Sequence, residues 1–540
     1  MPNQSNDISH LLIRNKIMKG KNSKFKIVNT NIDKVKEFLK NSKDKKPPGV
    51  DGLDSRLLKL AADEIAPALV HIVNLSFTCG TCPQAWKQAK IIPLPKNKKL
   101  PFSGTNSRPI SLLPVLGKMI ETIVYEQVNN YLSINNIICN SQHAYRKAHS
   151  TATALTSMSD DWLREIAKKN RVGVVFLDFS AAFDIIDHHL LLEKLTCYGF
   201  EQSALNWFFS YLSNRTQTVL FNGSFSEIRT TTCGVPQGSC LGPLLFTIFT
   251  NDLPSVLDKA NTVMYADDST IYASALTNNE LEIIINKELN GVAEWVKANK
   301  LVLNISKTNC MIVGSNHNID NNPVLNIKIE NITVNQVHET KLLGITVDNK
   351  LSWKKHISNM IAKMGRGISI IRRHATFMNQ NILKIAIQSL ILSHLDYCPA
   401  VWSNATGDML NKLQCIQNRA ARTILKCDNR TNIISMHKKL NWLLVKDRLL
   451  YSLIIVIRNV SVLKTPFDLF KNLSFSAENH KYSTRHASVG NFLLPKARSN
   501  AIRRTVLYRG MKEWNLLHKH IKLTTNINQF KLLFKQHLSK

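Results

Sequence analysis

Three aspartates at the ends of apolar runs constrain this chain more than any other feature. Val172-Gly173-Val174-Val175-Phe176-Leu177 reads as a buried strand, and it ends on Asp178. Further along, Val263-Met264-Tyr265-Ala266-Asp267-Asp268-Ser269-Thr270-Ile271-Tyr272 sets two acids between apolar and β-branched residues. That is the pattern of a β-hairpin with both acids at its turn. Adjacent carboxylates repel each other, and a divalent cation relieves the repulsion. Mg²⁺ and Mn²⁺ prefer such hard oxygen ligands. An isolated Asp-Asp is most often a solvated turn, but the third acid changes the reading. The strand that ends on Asp178 is expected beside the hairpin in one sheet. Three carboxylates from two strands can hold two ions about 4 Å apart, the arrangement used for in-line phosphoryl transfer.

The chain has 540 residues and 44% hydrophobic content, enough for large cores and two or more domains. Met1 to Lys26 is polar and basic, not a signal peptide, and no apolar run approaches the roughly 20 residues of a membrane span. The expectation is therefore an intracellular protein, nuclear or cytoplasmic, without a membrane. The ten cysteines are scattered. Cys79 and Cys82 form the only CxxC, and no second pair completes a zinc site, so the thiols are expected to be free in a reducing compartment. The formal net charge is +32 and is unevenly spread. Residues 351–540 hold 32 Lys and Arg against 7 Asp and Glu. A basic excess concentrated in one third of a chain points to a polyanion-binding region, against the plainer reading of a solvated basic surface.

Residues 1–45 read as a polar, poorly ordered start with one short helical segment near Ile32 to Leu39. Lys43 to Gly52 is a turn-rich basic loop, Leu57 to Phe77 is helical, and Ala89 to Leu94 is a strand. Short strands and amphipathic helices then alternate irregularly to about residue 347, which argues for α+β rather than a doubly wound fold. Beyond Ser352 the pattern turns helical. Met409, Leu413, Ile416 and Ala420 recur at helical spacing, as do Ile382, Ile385 and Ser389.

Further segments suit the chemistry of the three acids. If the backbone bends after Asp178, Phe183 can sit beneath a nucleotide sugar; a core aromatic is the plainer alternative. Cys233-Gly234-Val235-Pro236-Gln237-Gly238-Ser239 is a turn leading into an apolar helix, and its glycines let backbone approach a ligand closely. Lys307, in a turn after Asn304, can neutralise a phosphate or protonate a leaving pyrophosphate.

In this order and spacing the chain resembles the reverse transcriptases of non-LTR retrotransposons, in particular jockey-like and related LINE-type elements. Phe176 to Asp184 resembles the first palm motif, Gly234 to Ser239 with Leu241-Gly242-Pro243 the second, Tyr265-Ala266-Asp267-Asp268 the third, and Leu301 to Lys307 the fourth. Lys341 to Ile345 resembles the primer grip. Ser107 to Leu112 and Gln142 to Lys147 resemble fingers motifs, and Pro48 to Gly52 resembles the extra amino-terminal motif. The likeness weakens through Tyr397 to Trp402.

The resemblance implies a right-hand polymerase: fingers and an antiparallel-sheet palm over residues 46–350, then a helical thumb and basic nucleic-acid-binding region over 351–540. It implies that Asp178, Asp267 and Asp268, with the carbonyl of Phe179, bind two Mg²⁺ or Mn²⁺ ions. Phe183 would exclude ribonucleotides, Gln237 and Gly238 would line the nucleotide and template site, and Arg108 and Arg146 would contact template or triphosphate. Lys307 would assist pyrophosphate departure. The implied partners are an RNA template, a DNA primer and dNTPs. Trp402, Trp442, Tyr508 and Trp514 lie near the basic charge and could stack on bases, with burial in a core the commoner fate.

Two departures bear on function. Relatives of this kind carry an endonuclease before the polymerase, and nothing upstream of residue 45 is long enough for one. No Cys/His zinc knuckle is visible. The chain is thus not expected to nick duplex DNA, and a fragment, a truncated copy and a domesticated remnant remain open. A group II intron-type maturase is a rival enzyme, but the tail lacks its Cys/His pattern. A non-catalytic RNA-binding remnant of the fold is the rival from another class. Oligomeric state, template and integration target are not legible.

Overall fold

The computed structural model describes residues 23–44, 47–97, 99–104, 106–319, 324–476 and 490–539. Of the segment 1–45 expected to be poorly ordered, residues 1–22 lie outside the described residues, but 23–44 are packed. The helix near Ile32 is present as Ile32–Lys40, and Phe25, Ile27, Val35 and Leu39 are buried in the core, because these apolar side chains find partners distant in sequence. The chain is mixed α/β: among the described residues every strand lies before residue 350, interspersed with helices, and the chain after it is helical.

One mixed sheet is built from β1 (Gln88–Pro95), β2 (Ser107–Leu112), β4 (Arg215–Phe221) and β5 (Arg229–Thr231). β2 pairs antiparallel to β1, and β1 runs parallel to β4. A second sheet takes β3 (Arg171–Leu177), the hairpin β6–β7 (Asn261–Tyr265 and Asp268–Ala275), β8 (Asn309–Val313) and β9 (Asn335–Gln336). Its order is β9-β8-β3-β7-β6, antiparallel except for the β8–β9 edge. β3 is central, and Val172, Val174, Val175 and Leu177 are all buried. A strand covered on both faces needs a continuous apolar run, not alternation, and that is what the sequence shows.

Two helices cover the sheet. α1 (Thr151–Ala167) starts at a capping box between Ser150 and Thr153. α2 (Asn278–Ala298) starts at one between Thr277 and Glu280. Beneath α2 the sheet joins the larger core, which includes Leu281, Ile285, Leu289 and Trp295. On the opposite face Leu155, Met158 and Trp162 of α1 begin a second core.

The second core runs on past residue 350. It takes in Ile357, Met360, Met364 and Ile368 of α3 (Lys354–His374), Leu383 and Ile387 of α4 (Gln380–Ile387), and Leu413, Ile416 and Ala420 of α5 (Gly407–Leu425). The helical segment at Ile382 is present, but Ile382 and Ile385 are exposed and Leu383 and Ile387 point inward. A π-helical turn at Gln388–Leu392 follows directly and rotates the succeeding residues relative to an ideal helix.

The end of the chain docks back onto the sheet. α6 (Val445–Leu463) and α7 (Val506–Leu516) carry a third core with Phe530 and Phe534. Buried Asp160 of α1 accepts hydrogen bonds from Val506 N at 2.6 Å and Leu507 N at 2.9 Å, the first amides of α7. A carboxylate there satisfies unpaired N–H groups and meets the positive end of the helix. All ten cysteines are free, and among the described residues no helix is long and apolar enough to cross a membrane.

Candidate active site

The ladder of β3 brings the acids together. Its last pair with β7 is Leu177–Ser269, so one step further Asp178 lies level with Asp268. On its other side β3 pairs with β8 as far as Phe176–Asn309, and two steps further Asp178 lies level with Lys307. Lys307 Nζ stands 4.0 Å from Asp178 Oδ2, both groups solvent-accessible. The β6–β7 hairpin closes on the pair Tyr265–Asp268 and leaves Ala266 and Asp267 as its loop, with Ala266 at φ 56°. Two-residue loops of this kind need positive φ to match the twist of the strands.

Backbone bonds hold Asp178 in place. Its N–H donates to Thr308 Oγ1 at 3.3 Å, and its carbonyl accepts from Asn304 N at 2.8 Å. Ser180 N donates to Val302 O at 2.8 Å, so Phe179 and Leu303 form the non-hydrogen-bonded pair between them. That ladder leaves the Phe179 carbonyl unused.

The carboxylates feel one another. Desolvation, then the charges of Asp267 and Asp178, push the Asp268 carboxyl up to about 6, although Asp268 as a whole residue is exposed. Asp178 is also raised, first by desolvation; Lys307 opposes this, Asp267 adds to it, and Lys96 opposes it more weakly. Among the described residues no three His, Cys, Asp or Glu side chains are gathered tightly enough to cage an ion unaided. The register sets the three aspartates at one end of the sheet, near enough for the charges of Asp267 and Asp178 to act on Asp268.

Around this edge the turn at Gly234 to Ser239 is wedged between two segments. The chain bends after Asp178 through Ala181 at φ 50°, and Asp184 N donates to Ala181 O at 2.8 Å. The Phe183 ring is half-buried and stacks on Phe246 at 4.4 Å, while its carbonyl accepts from Val235 N. Gln237 Nε2 donates to both oxygens of Asp184 at 2.8 and 2.9 Å, and Gln237 O accepts from Ser111 N of β2 at 2.7 Å. Gly238 sits at φ 127°, where a Cβ would stand 2.5 Å from Ser111 O. A Cβ on Gly234, at φ 81°, would stand equally close to Asp184 O. These glycines let the turn touch both segments at once. A cavity of about 330 Å³ opens here, lined by Ile91, Ser111, Asp184, Gln217, Gly234 and Gln237 among others.

The two arginines differ. Arg108 lies exposed on β2 opposite Leu94. Arg146 is half-buried, and its Nη1 donates to the carbonyls of Cys139 at 2.7 Å and Gln142 at 3.1 Å, so that nitrogen is committed to shaping the loop. Trp402 and Trp514 are buried, and Trp442 and Tyr508 are half-buried.

Three contributors had no assigned role in the sequence reading. Gln142 lies against the hairpin: His143 N donates to Met264 O and Met264 N to Ser141 O, each at 2.8 Å. The buried Gln142 Oε1 accepts from Ala144 N at 2.9 Å and from Ala266 N, in the aspartate loop, at 3.4 Å. Lys96 directly follows β1 and bears on both Asp178 and Asp184. A charge at the end of an apolar strand, the signal that marked Asp178, marks it too. Tyr397 Oη donates to Leu343 O at 2.6 Å and its ring covers Gly344, which fixes the turn between β10 (Glu339–Leu342) and β11 (Ile345–Asp348).

Residues 94–347 match the family described as reverse transcriptase (RNA-dependent DNA polymerase). The chain is 28% identical, over 77% of its length and 47% of the relative's, to the probable RNA-directed DNA polymerase from transposon BS of Drosophila melanogaster. It is 30% identical to the RNA-directed DNA polymerase from mobile element jockey of Drosophila funebris, over 73% of this chain and 43% of that one. It is 24% identical to a retrovirus-related Pol polyprotein from type-1 retrotransposable element R1 of Bradysia coprophila, over 76% and 41%. The chain thus spans less than half the length of each of these relatives.

Proposed function

Because this chain is a relative of the jockey-like reverse transcriptases of non-LTR retrotransposons, we propose that it is an RNA-directed DNA polymerase. On this reading it extends a DNA primer's 3′-hydroxyl with dNTPs along an RNA template. The observation that carries the reading is the convergence of Asp178, Asp267 and Asp268 at one end of the sheet, with the Asp268 carboxyl raised by desolvation and then by its two neighbours. Residues 46–350 then act as fingers and palm, and 351–540 as thumb and basic region.

The donor set suits two Mg²⁺ or Mn²⁺ ions: hard oxygens only, in excess negative charge, beside a backbone carbonyl that its ladder leaves unused. When bound, the ions supply activation of the 3′-hydroxyl and neutralisation of the departing pyrophosphate. Asp178, Asp267, Asp268 and the Phe179 carbonyl would hold them. Lys307, exposed beside Asp178, presents a cation or a proton to the leaving group. Phe183, fixed by Phe246 and by Val235 N, forms the wall against which the sugar rests. Gln237, tied to Asp184, and Gly238, pressed on β2, shape the cavity that takes the base pair. Arg108 is available to a phosphate, and Arg146 supports the loop that steadies the hairpin.

The test is primer extension by purified protein on poly(rA)/oligo(dT) with Mg²⁺ or Mn²⁺, beside Asp267→Asn. Incorporation lost in the variant, with RNA binding kept, supports the reading. A wild-type protein that binds RNA but incorporates nothing favours the non-catalytic remnant.

A further inference from the structure

A second cavity, of about 600 Å³, opens between the carboxyl-terminal ends of α3 and α5. Arg372, Arg419, Arg422 and Lys426 line it with Thr376 and Thr423, and no acidic side chain does. Basic residues in a last turn commonly do no more than offset the helix dipole. Arg422 fits that description, since it donates to the carbonyls of Asp428 and Asn429. Arg372 also sits in the last turn of its helix, α3, but its side chain caps no carbonyl there. Arg419 lies a turn back from the end of α5, and Lys426 lies just past it at φ 51°. All three are exposed, and none has a side-chain hydrogen bond or ion pair among the described residues. Asp428 does not line the cavity, and its Oδ1 accepts from Arg430 N, Thr431 N and Thr431 Oγ1.

A second observation lies on the rim. Ala375 and Thr376 line the cavity, and the next residue, Phe377, is 88% exposed. A bare aromatic ring next to unpaired cations matches single-stranded nucleic acid: phosphates track the charge and an unpaired base stacks on the ring. A duplex keeps its bases stacked inside and has no use for the ring. The 21 residues of α3 carry this point about 30 Å from its amino-terminal end beside β10–β11.

We propose that the α3–α5 cavity and Phe377 form a binding site for single-stranded RNA, separate from the aspartate cleft. The proposal rests on the polymerase reading only in that it expects RNA as the strand at hand. Affinity for a short unstructured RNA is measured by fluorescence anisotropy between about 50 and 200 mM salt. The proteins are wild type, Phe377→Ala, and the triple variant Arg372→Ala/Arg419→Ala/Lys426→Ala, each checked for native circular dichroism. Phe377→Ala should weaken RNA binding about tenfold without changing the salt dependence, the scale of one stacked base. The triple variant should flatten the slope of log affinity against log salt by about 2, at roughly 0.7 per phosphate contact. Unchanged RNA affinity in both variants overturns the site, as does an equal loss on blunt duplex. A wild-type protein that extends primers but does not bind the free strand overturns this site alone. One that does neither overturns the polymerase reading with it.

Discussion

Replacing Asp268 with asparagine should make the metal-free protein more stable while abolishing polymerisation. The carboxyl is raised from an ordinary 3.8 to about 6 by desolvation and by Asp267 and Asp178. In a buried site a rise of that size is worth about 3 kcal/mol. Asp268 is exposed as a residue, so solvent screening reduces the figure to about 1 kcal/mol. The sign follows from the direction. The folded state holds this proton more tightly than the unfolded chain, so the charged form destabilises the fold above about pH 6. The penalty fades as pH falls through 6 and is gone below the unfolded value near 4. The asparagine amide carries no charge and escapes the penalty at every pH. The variant should therefore melt about 1–2 °C above wild type at pH 7.5 in EDTA, and the gap should close near pH 4. Mg²⁺ should stabilise wild type more than the variant, because only wild type presents the full carboxylate set. Differential scanning fluorimetry at several pH values, with and without Mg²⁺, reads all of this. An asparagine variant less stable than wild type at pH 7.5, or a gap that ignores pH, would refute the idea that desolvation and the neighbouring acids destabilise the charged form of Asp268.

Phe183→Ala should raise ribonucleotide relative to deoxynucleotide incorporation, since a methyl leaves room for a 2′-hydroxyl; an unchanged ratio returns the ring to a packing role against Phe246. Gln142→Ala removes the acceptor for Ala266 N, worth about 1 kcal/mol, and should slow extension several-fold while raising the Mg²⁺ needed for half-maximal rate. An unchanged Mg²⁺ dependence would show that Gln142 does not steady the aspartate loop. Deleting residues after 405 strips Leu413, Ile416, Ile424, Met436, Leu440, Val445 and Leu449 from the core shared with β3. At about 2 kcal/mol each the loss rivals the whole stability of a domain. The deletion should therefore unfold the sheet's outer face and abolish extension; a cooperative melt with intact activity would contradict the shared core.

What the sequence revealed, and what it hid, follows from the range of the interactions. β3 and the β6–β7 hairpin were legible because an apolar run that stops at an acid is a local pattern, and the pairing Leu177–Ser269 then follows from the register. The helix at Ile382 and Ile385 was legible from its spacing, but its buried face was not: Leu383 and Ile387 are buried against α3 and α5, and that choice of face depends on helices distant in sequence. The Asp160 cap on α7 was invisible because it joins residues 346 apart. Charge shows the same division. The basic excess after residue 351 can be counted, but the count does not show which cations are already committed. Arg448 pairs with Asp396, Arg458 donates to the carbonyls of Thr524 and Thr525, Arg504 to those of Lys350 and Leu351, and Arg509 to Ala400 O and Ser403 Oγ. These arginines hold the carboxyl-terminal helices to one another and to the sheet, and they release no counterions when nucleic acid arrives. The salt dependence of RNA binding should therefore be set by exposed cations such as Arg372, Arg419 and Lys426, and should be far shallower than a net charge of this size suggests.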